Sequence, residues 1–173
     1  MIKGDFAMSV FTKIKPEDIA DNPFRLIGKD WGLVTAGTKD SFNTMTVSWG
    51  GVGIMWNKPV AYTFIRPQRY TFEFLEKNDY FTLSFYGEEY RKALSFCGTK
   101  SGRDCDKPAE TGLTAAFTEN GVPYFEQARL VLVCKKLYAQ DLDITAVPEF
   151  AFDKFYVEEA PHRMFIGEVI SIL

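Results

Sequence analysis

Residues 43–71 read NTMTVSWGGVGIMWNKPVAYTFIRPQRYT, and the rest of the chain is organised around them. They contain two apolar runs, TMTVSW at 44–49 and VAYTFI at 60–65, with a connection rich in Gly, Asn and Pro between them. Each run alternates small polar and large apolar residues, which is typical of a strand with one wet face. The second run ends at Arg66-Pro67, and the residue before a proline does not continue easily into a helix. The segment RYTFEFLEKN at 69–78 is then predicted to be helical.

The start of this predicted helix has the chemistry of a phosphate site. The first turn of a helix exposes unpaired N–H groups and the positive end of the helix dipole, and both attract anions. Arg69 adds a forked cationic donor and Thr71 adds a hydroxyl. The alternative is an ordinary hairpin followed by a helix, with a surface arginine at its start.

Composition excludes several classes of protein. At 173 residues with 46% hydrophobic content, the chain suits one globular domain spanning 1–173. A net charge of −3 argues against a nucleic-acid partner. Three scattered cysteines and one histidine fit neither a disulfide framework nor a metal site. We expect a cytoplasmic location, because the sequence has no run of signal-peptide or membrane-span character.

The remaining chain is rich in predicted strands and poor in long helices, which indicates a mainly β protein forming a closed or partly closed barrel. No G-x-G-x-x-G motif is present, so a Rossmann dinucleotide site is excluded. The further predictions are an arm or edge strand at 1–15, a short helix from Pro16, a strand at 31–38 paired with 44–49, a strand at 80–86, a helix at 87–98 ending at Gly98, a polar loop at 99–110, a turn at 120–121, a strand at 128–142, a lid-like loop with one helical turn at 143–160, and a closing strand at 162–173.

Three stretches of sequence carry a resemblance to a known family. NTMTVSW, WNKPV and RPQRYT lie in the opening stretch, SFCGTKSGRD occupies 95–104, and HRMFIGEV occupies 162–169. In this order and spacing they resemble the flavin reductase-like proteins, and most closely the flavoredoxin type. The resemblance implies an FMN-binding split β-barrel of Greek-key topology with a few short helices. It also implies non-covalent FMN and a homodimer with the flavin near its interface.

By this resemblance, the strand containing 45–49 lies beside the flavin ring, and the residues around the helix start and the middle loop hold the phosphate. Thr46 and Ser48 would supply polar contacts, although such residues can also be the outward positions of an amphipathic strand. Middle-loop residues can equally belong to a plain solvated loop. The candidate flavin-binding residues are Met45, Thr46, Val47, Ser48, Trp49, Arg66, Gln68, Arg69, Tyr70, Thr71, Cys97, Lys100 and Ser101, with Arg103 as a further phosphate candidate.

His162 is the only histidine and the candidate catalytic residue. The resemblance places it on the closing strand, facing the flavin and the nicotinamide of NAD(P)H. An isolated histidine can also be purely structural. Cys97 invites a redox role, but a single cysteine at the end of a helix is more often a small buried hydrophobe.

Three functions follow from the resemblance. The first is an NAD(P)H-dependent flavin reductase that passes electrons through FMN to an acceptor. The second is an electron carrier that holds FMN, exchanges electrons with a redox partner protein and has no nicotinamide site. The third is a split barrel that has lost its ligand.

Overall fold

A computed structural model describes residues 14–173, so most of the predicted arm at 1–15 lies outside the described residues. The described chain is built mainly from strands, as predicted. These are β1 Gly32–Gly37, β2 Phe42–Val47, β3 Gly50–Met55, β4 Lys58–Ile65, β5 Tyr80–Phe85, β6 Ala115–Phe117, β7 Pro123–Phe125, β8 Leu130–Asp141 and β9 Arg163–Ile172.

The helices are short and lie between the strands. They are α1 Pro23–Arg25, which continues as a π-turn at Leu26–Asp30, α2 Tyr70–Lys77, α3 Arg91–Thr99, α4 Lys107–Thr111 and α5 Glu149–Phe155, together with 3₁₀ turns at Pro16–Asp18, Glu88–Tyr90 and Ile144–Ala146. Among the described residues, no helix is both long enough and apolar enough to span a bilayer.

Seven strands form one antiparallel sheet in the order β2-β1-β5-β8-β9-β4-β3, and β6 pairs with β7. Consecutive strands β2 and β3 are therefore the two edges of the sheet. Only Ser48 and Trp49 separate them, and an extended chain covers at most about 3.6 Å per residue. The edges must approach within about 11 Å, so the sheet curls into a barrel that stays open along this seam.

The core lies on both faces of this curled sheet. In β8, Leu132 belongs to one buried cluster with Phe81 and Phe165, while Val131 and Val133 belong to a second cluster around Phe125. Neighbouring residues of a strand point to opposite faces, so one strand supplies both clusters. This explains the continuous apolar run LVLVC at 130–134.

The predicted pairing of 31–38 with 44–49 is confirmed by the register of β1 and β2, in which Leu33 faces Thr46. The connection predicted between the two opening runs is wrong for residues 50–55, which form β3 and pair with β4. Glycine has a low β-strand propensity, so the glycines at 50, 51 and 53 keep the sequence pattern from indicating this strand. The tight turn is made by Trp56 and Asn57, both with positive φ, as a two-residue hairpin turn requires.

Two further helical segments differ from prediction. Helix α4 begins inside the stretch predicted as a polar loop, where Asp106 caps it by accepting a hydrogen bond from the N–H of Ala109. In the segment 143–160, α5 extends over Glu149–Phe155, more than the single turn predicted.

Candidate functional site

A cavity of about 210 Å³ lies beside β2, where the start of α2 meets the loop after α3. The polypeptide reaches it from three regions that are far apart in sequence, at 43–45, 68–71 and 99–107. Its lining residues are Asn43, Met45, Gln68, Arg69, Tyr70, Thr71, Thr99, Lys100, Ser101, Gly102 and Lys107. The structure therefore brings together seven of the predicted flavin-binding residues, and adds Asn43, Thr99, Gly102 and Lys107, which the sequence did not single out.

Arg69 stands at the N-cap of α2 and is half-buried. Its Nη2 donates to the carbonyl of Gly98 at 2.6 Å, which ties the helix start to the end of α3. Burial lowers the pKa of the guanidinium from its usual value. None of the ion pairs within residues 14–173 includes Arg69, so no carboxylate balances its charge there.

Lys107 is the principal residue that sequence reasoning missed. Its side chain is buried, and its Nζ donates to the carbonyls of Thr44 at 2.7 Å and Cys97 at 2.9 Å. Burial lowers the pKa of the ammonium, and the charge of Arg69 lowers it further. Within the described chain Lys107 makes no ion pair, and one of its three N–H donors has no protein partner.

The opposite wall of the cavity is set by Asn43, whose Nδ2 donates to the Thr71 hydroxyl at 2.8 Å. Both side chains are buried. A Cβ on Gly102 would lie 1.9 Å from Oδ1 of Asn43, so only glycine lets the loop after α3 approach this closely. Thr71 accepts from Asn43, which leaves its own hydroxyl hydrogen available to a ligand.

Arg66 does not line this cavity, although it lies only three positions before Arg69. Its guanidinium donates to the carbonyls of Phe155 at 3.0 Å and Ala160 at 3.3 Å. It also pairs with Glu159 at 2.8 Å, to which the Gln68 amide donates at 2.7 Å. A role for Arg66 on a phosphate does not fit this placement, because its donors already hold the segment after α5.

The strand containing 45–49, which was predicted to lie beside the flavin ring, has buried side chains and outward-facing backbone groups. Met45 and Val47 point into the core, and the Thr46 hydroxyl donates to the carbonyl of Leu94, so none of these three side chains is open to a ring edge. The Thr44 carbonyl turns away from β1, because it accepts from Lys107. Orientation alternates along an antiparallel edge strand, so the backbone N–H and C=O of Thr46 also face outward. The strand therefore offers backbone donors and acceptors here.

Past the end of β2, Ser48 and Trp49 are exposed and border a cleft of about 430 Å³ whose lining is largely apolar. The Trp49 ring meets Phe155 edge-on at 5.0 Å between centroids and lies 4.8 Å from the ring of His162. Aromatic side chains thus form the wall at this end of the seam.

His162 precedes β9 and is 9% exposed. Its Nδ1 lies 3.0 Å from the hydroxyl of Tyr156. Burial lowers its pKa to about 4, with a further lowering by the charge of Arg66 that Glu159 partly opposes. The imidazole is therefore neutral at physiological pH.

The other candidates occupy supporting positions. The Tyr70 ring packs against Phe74 at 5.0 Å, with the Arg103 guanidinium 4.6 Å from its centre. Lys100 is exposed at the cavity mouth, and the Ser101 hydroxyl accepts from the N–H of Arg103 at 3.1 Å. Arg103 itself pairs with Glu73, so its charge is balanced.

Cys97 is fully buried and does not line the cavity. Burial raises the pKa of its thiol to about 11, and the nearby charge of Lys107 only partly opposes this. A thiol in this environment remains protonated and unreactive. The placement fits the reading of Cys97 as a small buried hydrophobe.

Comparison with known proteins places this arrangement in a family. The flavin reductase like domain matches residues 24–173, which is most of the chain. The chain belongs to the flavin reductase-like family. Among curated proteins, no sequence matches it.

Solved structures with the same fold include an FMN-binding protein from Thermus thermophilus with bound 1-cyclohex-2-enone, at 20% identity and a TM-score of 0.67, covering 94% of this chain and 77% of that one. The flavoredoxin of Desulfovibrio vulgaris matches at 22% identity and a TM-score of 0.66, covering 92% and 76%. An NADH:FAD oxidoreductase of Streptomyces globisporus, in complex with NAD and FAD fragments, matches at 18% identity and 0.61, covering 83% and 73%. These likenesses confirm the predicted split-barrel fold.

Proposed function

We propose that this flavin reductase-like protein binds FMN without a covalent link along the seam between β2 and β3 and works as an NAD(P)H-dependent flavin oxidoreductase. Family membership supports the binding of a flavin. The cationic side chains along the seam support FMN, the flavin that carries a phosphate. When bound, FMN supplies the redox chemistry, while the protein supplies binding, orientation and electrostatics.

The observation that carries the proposal is the pair of cations at the 210 Å³ cavity. Arg69 and Lys107 both line it, both have lowered pKa values, and neither has a carboxylate partner among the described residues. Two unbalanced charges so close together repel each other, and an anion between them removes that cost. The Thr71 hydroxyl adds a neutral donor, as a phosphate with several acceptor oxygens requires.

The rest of the seam fits the remainder of FMN. Met45 lines the cavity and Ser48 borders the apolar cleft. Met45 and Ser48 are three positions apart, which is about 10 Å along an extended chain. This distance leaves room for a flexible linker between a phosphate and a ring. The outward backbone groups of Thr46 offer hydrogen bonds to a ring edge, and Trp49 provides a flat apolar surface.

At the ring end, neutral His162 and Trp49 suit the nicotinamide of NAD(P)H, which is planar and carries an amide. The Streptomyces protein of this fold, described in complex with NAD and FAD fragments, supports the same pairing of ligands here. His162 orients the donor in this proposal and does not transfer a proton. Orientation of this kind acts on the transition state.

We further propose that the chain works as a homodimer that buries the hairpin β3–β4. Phe24, Ile54 and Trp56 are exposed by 87%, 73% and 63%, and β3 is an edge strand with unpaired backbone groups. Large exposed apolar side chains on a sheet edge favour association. A second copy offers the same surface in return. Light scattering after gel filtration should give a dimer mass, and Ile54→Lys should shift it to a monomer.

The central test is titration of flavin-free protein with FMN and with riboflavin, which lacks the phosphate. We expect FMN to bind at least about tenfold tighter, since hydrogen bonds to charged groups contribute roughly 1.5–3 kcal/mol. Lys107→Met should abolish most of this preference. Lys136→Met is the matched control, because Lys136 also donates to two carbonyls, of Leu75 and Glu76, yet does not line the cavity.

Equal affinity for the two flavins in the unmodified protein would overturn the phosphate assignment, and no binding of either would favour a barrel that has lost its ligand. Mixing the FMN complex with NADH or NADPH then separates the reductase from the carrier. A reductase bleaches the flavin band, whereas a carrier without a nicotinamide site stays yellow and is reduced only by a redox partner protein.

A further inference from the structure

Tyr156 closes α5 and is 7% exposed, and its hydroxyl lies 3.0 Å from Nδ1 of His162. The two rings meet edge-on at 5.7 Å between centroids. No other hydrogen bond involves either side chain among the described residues. This pair is therefore isolated from the rest of the polar network.

The direction of this hydrogen bond follows from a count of the N–H and O–H donors and the acceptors available to them. A neutral imidazole has one N–H and one bare nitrogen, and a phenol has one O–H. If Nδ1 donated to the phenol, the O–H of Tyr156 would have no acceptor in the described protein. Leaving a buried donor unpaired costs roughly 1–3 kcal/mol. A hydrogen on Nε2 is not penalised in this way, because Nε2 is not among the fully buried polar atoms of the described residues that lack a partner, and it can pair with solvent or a ligand. The phenol therefore donates and Nδ1 accepts, which leaves the hydrogen of the imidazole on Nε2.

The segment that carries Tyr156 is held by the side chains of Arg66 and Gln68. Arg66 binds the carbonyls on both sides of Tyr156, at Phe155 and Ala160, and its guanidinium lies 5.6 Å from the centre of the Tyr156 ring. Gln68 and Arg66 share Glu159 as acceptor. These contacts hold the phenol at hydrogen-bond distance from His162, on the side of the ring away from Nε2.

We propose that Tyr156 is a positioning residue that fixes His162 as its Nε2–H tautomer, so that the site presents a hydrogen-bond donor to a carbonyl oxygen. The nicotinamide carboxamide is the carbonyl that the proposed function supplies, and the inference rests on that function for its ligand. The tautomer itself rests only on the Tyr156–His162 contact. A ligand that offers a donor at this position is disfavoured, because it would face a second donor.

The chain has a single histidine, so its ring nitrogens can be observed without assignment. Untagged protein labelled with ¹⁵N-histidine, with no flavin or nicotinamide added, should show one protonated nitrogen at Nε2 and one unprotonated nitrogen at Nδ1 near neutral pH. Tyr156→Phe should convert this into a mixture of tautomers or reverse it. Tyr86→Phe is the control, because the Tyr86 side chain is also buried but packs in the second core cluster, which does not include His162, and removal of its hydroxyl should leave the spectrum unchanged.

A hydrogen on Nδ1 in the unmodified protein would overturn the proposal, as would an unchanged tautomer in Tyr156→Phe. In the FMN complex, Tyr156→Phe should slow flavin reduction by NAD(P)H about tenfold with FMN affinity retained, while Tyr86→Phe should not. If the protein binds no FMN, the proposed function fails while the NMR result still decides the tautomer. If FMN binds and reduction in Tyr156→Phe is unchanged, the positioning role fails alone.

Discussion

Arg66 and Arg69 are three residues apart in one short motif, yet the structure gives them opposite surroundings. The guanidinium of Arg66 pairs with Glu159 and binds two carbonyls of the chain after α5. Arg69 binds one carbonyl, at Gly98, and faces a small cavity beside Lys107 without a carboxylate partner among the described residues. One arginine has its charge balanced by the protein and the other does not.

The role of an arginine therefore depends less on its position in a motif than on the charges that surround its side chain. A balanced arginine stabilises structure, since its donors are already used. An unbalanced and half-buried arginine retains an electrostatic cost that an anionic ligand can remove. The same contrast divides the seam into a cationic end at Lys107 and an aromatic end at His162.

The largest expected effect is on the cationic end. Arg69→Ala should weaken FMN binding ten- to a hundredfold, because a charge-assisted hydrogen bond to phosphate contributes roughly 1.5–3 kcal/mol. Riboflavin lacks the phosphate, so its affinity should change much less. Fluorescence titration with each flavin measures both values.

Arg66→Ala is the matched control for that comparison. It should change the affinities for FMN and riboflavin by the same factor, since Arg66 holds the segment after α5 and does not line the cavity. The contrast between the two arginines breaks if Arg66→Ala discriminates between the flavins, or if Arg69→Ala does not.

The second effect concerns the aromatic end and pH. The folded pKa of His162 is about 4, below the ordinary value of about 6.5 in the unfolded chain. The unfolded state therefore binds the proton first as pH falls, so the stability that neutral His162 contributes is complete above about pH 6.5 and is lost toward pH 4.

The free energy of unfolding should fall by about 2 kcal/mol from this group between pH 7.5 and pH 5. Urea titrations of the unmodified protein and of His162→Gln measure the difference. An equal loss in both proteins would mean that this pH dependence has another origin.

The third effect is on reaction rate. His162→Ala should keep its FMN while reduction by NAD(P)H slows at least about tenfold, a barrier increase of about 1.4 kcal/mol, because orientation acts on the transition state. Single-turnover bleaching at saturating NAD(P)H measures this, after flavin content has been checked. Unchanged bleaching would return His162 to a structural role.

The smallest effect is expected at Cys97, which supports the cationic end only through its backbone carbonyl. Cys97→Ser keeps that carbonyl and should keep most activity and FMN affinity. Thiol reagents should leave Cys97 unmodified in the folded protein near neutral pH, because burial raises its pKa to about 11. A variant that binds FMN normally but no longer turns over would give the sulfur a role in the reaction.

Much of the fold could be predicted from local pattern. The alternation in TMTVSW and in β4 specified strands, and the turn after β1 paired it with β2, because side-chain period and turn length act over a few residues. Strand β3 was not predicted, because its glycines break the alternation of polar and apolar residues that indicates a strand. Its backbone pairs with β4 in a ladder that sequence pattern does not indicate.

The candidate site could be predicted only in part. Arg69 and Thr71 were identified because a helix start attracts anions through groups that are adjacent in sequence. Asn43 was inside the quoted motif, but its hydrogen bond to Thr71 depends on β2 lying beside α2. Asp106 and Pro108 flank Lys107 in the pattern of a helix start, a signal for α4 but not for a buried ammonium.

The residue pattern alone indicates a mainly β protein of the flavin reductase-like kind, since periodicity and motif order are local properties that the chain carries before it folds. Which charges are balanced depends on contacts that form when the chain folds. Glu159 reaches Arg66 because β4 pairs with β9, and Lys107 reaches the carbonyl of Thr44 because α3 packs against both α4 and β2. Electrostatic partnership depends on distance in space, and strand pairing and helix packing set that distance.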